Sequence, residues 1–359
     1  MSGSELSDTR SSALLELAPF PSARAASFRV RKELNEILAA RIPKYTSEDT
    51  SLVVFGSLAR GEWTSASDLD WTYLIDGQAN ADHLFIAQKI RKILHEHQDR
   101  FRPPGQTGTF GNMAFSHELI HQIGGQGDTN KNTTQRILLL LESKVIGKNN
   151  QAYERIIKGV INRYLDEDNH LVTEDGTRYR VPRFLLNDIV RFWRTMAVDF
   201  ASKQRDRAGD GWGLRNAKLR LSRKLIFASG LLICFGCNLD TRLQEEICAD
   251  ESDTKFALVN HIRERLRLTP LEVLAAATDQ YEVSKEVGES LFISYAEFLK
   301  VIDDAKGRED LEKVRAADSK TDPTFKRIRE IGAAFEKALD LLFFENSKLA
   351  VLTRKYGVF

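Results

Sequence analysis

The stretch FGSLARGEWTSASDLDW, residues 55–71, decides how this chain is read. The apolar run LVVF ends at Gly56-Ser57. Glycine lets a backbone come close to a ligand, and serine adds a hydroxyl and an N–H for phosphate oxygens. Ten residues separate Ser57 from Asp68, and Asp68-Leu69-Asp70 follows. On a strand, alternation puts Asp68, Asp70 and Thr72 on one face and Leu69, Trp71 and Tyr73 on the other. Two carboxylates on one face repel unless a cation joins them. Oxygen donors suit Mg²⁺, with Mn²⁺ as the other option, and Mg²⁺ characteristically combines one or two carboxylates with substrate phosphates. The alternative is an ordinary strand, loop and strand with a polar surface.

The surrounding pattern gives an α+β outline. FRVRKELNEILAARI (28–42) has helical spacing and stops at Pro43, after a Ser/Ala-rich segment, 1–26, that reads as weakly ordered. SLVVFGS and DLDWTYLID (68–76) read as strands, 81–99 as an amphipathic helix, and GTFGNMAFS (108–116) as a third strand. From about residue 129 the helical period dominates. TNKNTTQRILLLLESKVIG reads as one helix stopped by Gly147, and 151–167 as another. A link with turn and strand character, 169–183, marks a boundary. Beyond it come helices over 184–207 and 214–235, a Thr269-Pro270 helix start, and helices over 281–306 and 323–347. The expected organisation is a small α/β domain over 1–170 (core about 28–157), a mixed sheet flanked by helices. An all-helical domain over 180–359 follows.

Phe55-Gly56-Ser57, ten residues, then Asp68-Leu69-Asp70-Trp71, resembles the signature of the DNA polymerase β nucleotidyltransferase superfamily. Arg60-Gly61-Glu62 followed by Ser67-Asp68 resembles the versions in bacterial PII uridylyltransferases and minimal nucleotidyltransferases. So, more weakly, does Asp128, then LLLLES (138–143), then Gly147. The resemblance covers roughly residues 50–157. It implies a metal-dependent enzyme that moves a nucleoside monophosphate from an NTP to an acceptor hydroxyl and releases pyrophosphate. Asp68 and Asp70 would hold the metal, Gly56 and Ser57 the phosphates. The family usually adds a third carboxylate from the next strand, where this chain has Asn112 and Ser116. Glu118 and Asp128 are the candidates, each also readable as a helix-terminal residue: a first-turn charge and an N-cap. The doubtful third acid leaves open a second reading, a nucleotide-binding regulatory module with weak or absent catalysis.

The helical half is rich in cations: Arg191, Arg194, Arg215, Lys218, Arg220, Arg223 and Lys224. Lys218 and Ser222 share one helix face, Arg220 and Lys224 another. A solvated basic face accounts for most of them. The resemblance implies that at least one of Lys218, Ser222 and Lys224 reaches the triphosphate. Trp193 and Trp212 read as core more readily than as base-stacking platforms, and His117/His121 lack further metal ligands.

Composition narrows the rest. A formal net charge of +1 excludes a global basic field for nucleic acid, so any anion site is local. The acceptor is therefore open among a protein, an RNA end, a small molecule and a nucleotide. No run approaches the roughly 20 apolar residues of a membrane span, and the polar N-terminus lacks a signal core. A cytoplasmic protein is expected. Three cysteines, Cys234, Cys237 and Cys248, are too few for a disulfide framework and read as buried thiols.

Overall fold

The computed structural model describes residues 10–104, 109–166, 181–206, 209–249 and 254–357, excluding the side chains of residues 203, 206 and 247–249. Two helices, α1 (Arg10–Leu15) and α2 (Phe20–Arg41), precede the sheet. Strand β1 (Thr50–Phe55) is buried along its whole length. This is why its sequence reads as an unbroken apolar run rather than an alternating one. A single turn, α3 (Gly56–Arg60), leads by a loop to β2 (Trp71–Ile75) and α4 (Ala81–Glu96). Next come β3 (Asn112–Phe115), α5 (Ser116–Ile120), α6 (Asn130–Leu141), β4 (Ser143–Ile146), α7 (Gln151–Asp166) and α8 (Arg183–Asp206).

The four strands form one mixed sheet in the order β3-β2-β1-β4. β1 runs antiparallel to β2 and β4, and β2 parallel to β3. The register sets Val54 opposite Trp71, Thr72 opposite Asn112, and Phe55 opposite Ser143. One face buries Leu52, Val54, Leu69, Trp71, Tyr73 and Ile75 with Leu34 and Leu38 of α2 and Ile90, Ile93 and Leu94 of α4. Each such side chain contributes about 1.5–3 kcal/mol on burial. The apolar set read from Leu69–Tyr73 does face this core, but the strand expected from residue 68 begins only at Trp71, and Asp68–Asp70 belong to the loop before it.

The remaining elements are helical: α9 (Trp212–Lys218), α10 (Lys224–Leu239), α11 (Thr241–Ala249), α12 (Thr254–Leu266), α13 (Pro270–Gln280), α14 (Lys285–Asp303), α15 (Ala305–Lys313), α16 (Pro323–Asp340) and α17 (Ser347–Leu352). The chain gathers into two compact units. One, built from 23–192 and 240–269, holds the sheet. The other, from 1–22, 193–239 and 270–359, is helical in its described elements. Neither is a single stretch of sequence. In the helical unit, Phe292, Tyr295, Phe298 and Phe335 form an aromatic core, and Cys234 and Cys237 are buried thiols on α10. No helix among the described residues is long and apolar enough to cross a membrane.

Several local expectations are corrected. Residues 10–26 are largely helical rather than weakly ordered, because Leu14 and Phe20 are buried and Phe20 packs on Phe292 and Tyr295. The stretch 129–147 is not one helix. It breaks at Glu142, and Ser143–Ile146 becomes a strand, since pairing with β1 outweighs the local helical pattern. Thr129, not Asp128, caps α6: its side chain accepts the Asn132 N–H. The single helix expected over 214–235 holds a π-helical turn, Leu219–Arg223, between α9 and α10. The 169–183 link, as far as residue 180, and the Cys248 side chain lie outside the described residues.

Candidate active site

The site is assembled where β1 ends. Gly56 has φ +68°, a left-handed conformation that side chains resist. It redirects the chain from β1 into α3. The Phe55 N–H donates to the Asp70 carbonyl at 2.9 Å, so the end of β1 and the second aspartate are neighbours. A Cβ on residue 56 would sit 3.5 Å from Asp70 Oδ2. Glycine therefore leaves open the space between the Gly-Ser turn and a carboxylate.

The loop that brings the aspartates back is pinned at several points. Gly61 closes α3 at φ +77°, and the Glu62 N–H donates to the Ser57 carbonyl at 2.8 Å. Thr64 N–H donates to Ser67 Oγ at 3.1 Å, and the two hydroxyls lie 3.0 Å apart. Leu69 N–H then donates to the Arg102 carbonyl at 2.8 Å. Leu69 is buried, whereas Asp68 is exposed and Asp70 half-buried. Both carboxylates stay near solvent while the residue between them anchors the core.

On the next strand, Gly111 N–H donates to the Trp71 carbonyl at 2.7 Å and Asn112 pairs with Thr72. Ahead of it, Phe110 packs on Phe55 with tilted rings, centroids 4.9 Å apart. By alternation, the β3 face shared with Asp70 and Thr72 presents Asn112 and Ala114, neither an acid, and Asn112 Oδ1 accepts from Arg91 Nη2 at 2.9 Å. Glu118 is exposed in the first turn of α5. Asp128 is buried and held by Arg136 and Arg191. Among the described residues no three side chains of His, Cys, Asp and Glu gather into a group that could hold a metal ion.

Asp68 and Asp70 nevertheless fit a hard divalent cation that takes its other ligands from a phosphate and water. Two features besides the carboxylates support that fit. One is the bare Gly56 Cα beside Asp70. The other is the Thr72 hydroxyl on the same face, buried without a hydrogen-bond partner.

Residues 31–101 match the family model described as a nucleotidyltransferase domain. The match runs from within α2 through β1, the Gly-Ser turn, both aspartates and α4, and ends before β3. No curated protein matches the chain. The nucleotidyltransferase-domain match therefore covers the paired-aspartate half of the site and not the strand from which a third acid would come.

The other residues singled out in the sequence belong to other elements. Lys218, Ser222 and Lys224 belong to the helical unit. Ser222 is buried in the π-helical turn, and Lys224 pairs with Glu336 at 3.1 Å. Trp212 is buried and packs on Phe325, as a core residue does, whereas Trp193 is half-buried and stacks on the half-buried Phe227. His117 and His121 form an exposed ring pair, centroids 5.3 Å apart. Sequence reasoning gave no role to Glu142, whose buried carboxylate binds Arg60. Its signal was an acid closing an otherwise apolar LLLL run.

Proposed function

We propose that the protein is a nucleotidyltransferase that uses a divalent metal, Mg²⁺ or Mn²⁺, to transfer a nucleoside monophosphate from an NTP to an acceptor hydroxyl. The observation that carries this is the adjacency of Asp70 to the Gly56 turn, which sets a carboxylate beside a bare backbone Cα. Asp68 and Asp70 would hold the metal, which supplies neutralisation of the triphosphate charge. Ser57 contributes its hydroxyl and N–H to the terminal phosphates, and Gly56 keeps the backbone close. Lys218, Ser222 and Lys224 retain the phosphate-binding role that the family resemblance gives them, and Glu118 and Asp128 the same standing as candidates for a third acid. In-line attack on the α-phosphorus forms the bond to the acceptor oxygen and expels pyrophosphate, the acceptor proton passing to a base.

The uridylyltransferase-like Arg60-Gly61-Glu62 segment favours a protein hydroxyl as acceptor. The near-neutral charge disfavours a long nucleic acid. The test is incubation of the purified protein with labelled NTPs, Mg²⁺ and cell extract, alongside Asp68→Ala/Asp70→Ala. Wild-type labelling that the double variant abolishes is the expected result; transfer that survives it would sink the assignment.

A second reading, a nucleotide-binding regulatory module, is favoured by one observation: Asn112 and Ala114 stand where β3 would offer an acid. It predicts metal-dependent NTP binding with no pyrophosphate release for any acceptor.

A further inference from the structure

We infer that Arg60 is a positioning residue that holds the Gly56-Ser57 turn ready for phosphate, an inference that rests on the nucleotidyl-transfer reading. The turn cannot hold itself. α3 has five residues, too few for a helix that is stable alone. Its last residue turns inward. The Arg60 side chain is 7% exposed and grips two carboxylates that are more deeply buried still, Glu62 at 2% and Glu142 at 1%. Nε and Nη2 donate to Glu62 Oε2 at 2.9 and 2.8 Å, and Nη1 donates to Glu142 Oε2.

The place of Glu142 gives this clamp its meaning. It joins α6 to β4, and the next residue, Ser143, pairs with Phe55. Phe55 is the residue immediately before Gly56. The turn is therefore bracketed: Ser143 of β4 borders its entrance at Phe55, and Glu142, just before β4, holds its exit at Arg60. Two further bonds commit its carbonyls to the scaffold. Ser57 C=O accepts from Glu62 N–H, and Leu58 C=O accepts from Arg31 Nη1 at 2.8 Å. Two segments far apart in sequence, Arg60-Gly61-Glu62 and the end of LLLLES, are one device. A planar guanidinium suits it because it holds two carboxylates at once in a fixed fork, which an ammonium does not.

The turn would touch the leaving pyrophosphate and not the reacting α-phosphorus, so loosening it is expected to weaken Mg-NTP binding, and raise KM, more than it lowers kcat. The experiment uses the full-length chain as wild type, Arg60→Lys and the isosteric Glu142→Gln. Steady-state pyrophosphate release is measured against Mg-NTP concentration, and hydrogen exchange is measured by peptide without nucleotide. The expected result is a KM raised about tenfold with kcat within about twofold, and faster exchange confined to peptides covering 56–62. Wild-type exchange rates at 56–62, or an increase shared evenly by β2 and α4, overturn the inference whatever catalysis does. An unchanged KM in an active wild-type background does the same. A wild type without turnover or Mg-NTP binding instead overturns the functional reading, and the exchange result then shows separately whether the clamp orders the turn.

Discussion

Replacing Arg136 by methionine removes a guanidinium with no solvent exposure from the middle of α6. Its Nη1 and Nη2 lie 3.1 and 3.0 Å from the two oxygens of Asp128, its Nη2 2.6 Å from Asp188, and its Nε 2.6 Å from the Tyr164 hydroxyl. Tyr164 in turn donates to Asp188 at 2.6 Å. Burial alone would lower the pKa of this guanidinium; Tyr164, Asp128 and Asp188 outweigh burial and raise it. Without Arg136, two carboxylates with side chains 2% and 8% exposed lose their shared cation. Removing one partner of a buried pair costs about 3–5 kcal/mol. Arg191, 3.2 Å from Asp128, keeps part of that interaction, so the expected loss is about 3 kcal/mol, the low end of that range. At about 1.4 kcal/mol per decade, amides of α6 and α7 that exchange through unfolding of the sheet unit should speed up roughly 100-fold. Adding Asp188→Asn should restore part of the loss. A change below about 1 kcal/mol, the size of an ordinary surface pair, would refute the claim that this network braces the sheet unit.

Two further outcomes follow from single side chains. Gly56→Ala forces a methyl-bearing residue into φ +68° and places its Cβ 3.5 Å from Asp70 Oδ2. Stability should fall by about 1–2 kcal/mol in thermal melting, and Mg-NTP affinity should fall by a larger factor; undiminished binding would show that the gap is not used. For His261, burial first and then Arg265 lower the imidazole pKa from 6.5 to about 4, against the opposing pull of Asp240. The unfolded chain takes up that proton first on acidification, so the contribution is full above pH 6.5 and is lost as the pH falls towards 4. Its size is about 3 kcal/mol at most. His261→Gln should flatten the melting temperature against pH over that window, and a slope equal to wild type would contradict the assignment.

What could be read in the sequence was local. The two-residue period of a strand is enough to place Asp68 and Asp70 apart from Leu69, Trp71 and Tyr73, and the core contains that apolar set. The strand β4 was not legible, because LLLLESKVIG has the composition of a helix and its fate is set by β1, nearly ninety residues earlier. The link between Arg60 and Glu142 was hidden for the same reason: it depends on register, which spacing along the chain does not encode. Helix α1 was missed because its support comes from α13 and α14, at the other end of the chain. The third acid is a different matter. The sequence raised the question, and β3, with Asn112 and Ala114 on the relevant face, leaves it where it stood.

The interleaving of the two units has a consequence for synthesis on the ribosome. The sheet unit opens with residue 23 and is not complete until residue 269 has been made. Its late segment is joined to early helices by Arg263 with Glu154 and Lys255 with Asp166, and Lys144 on β4 donates to the Arg267 carbonyl. A nascent chain carrying both aspartates and the whole sheet still lacks those ties. The hallmark stretch emerges early, and the unit that carries it finishes late. A chain interrupted between residues 166 and 240 would display the recognisable motif on an unfinished unit.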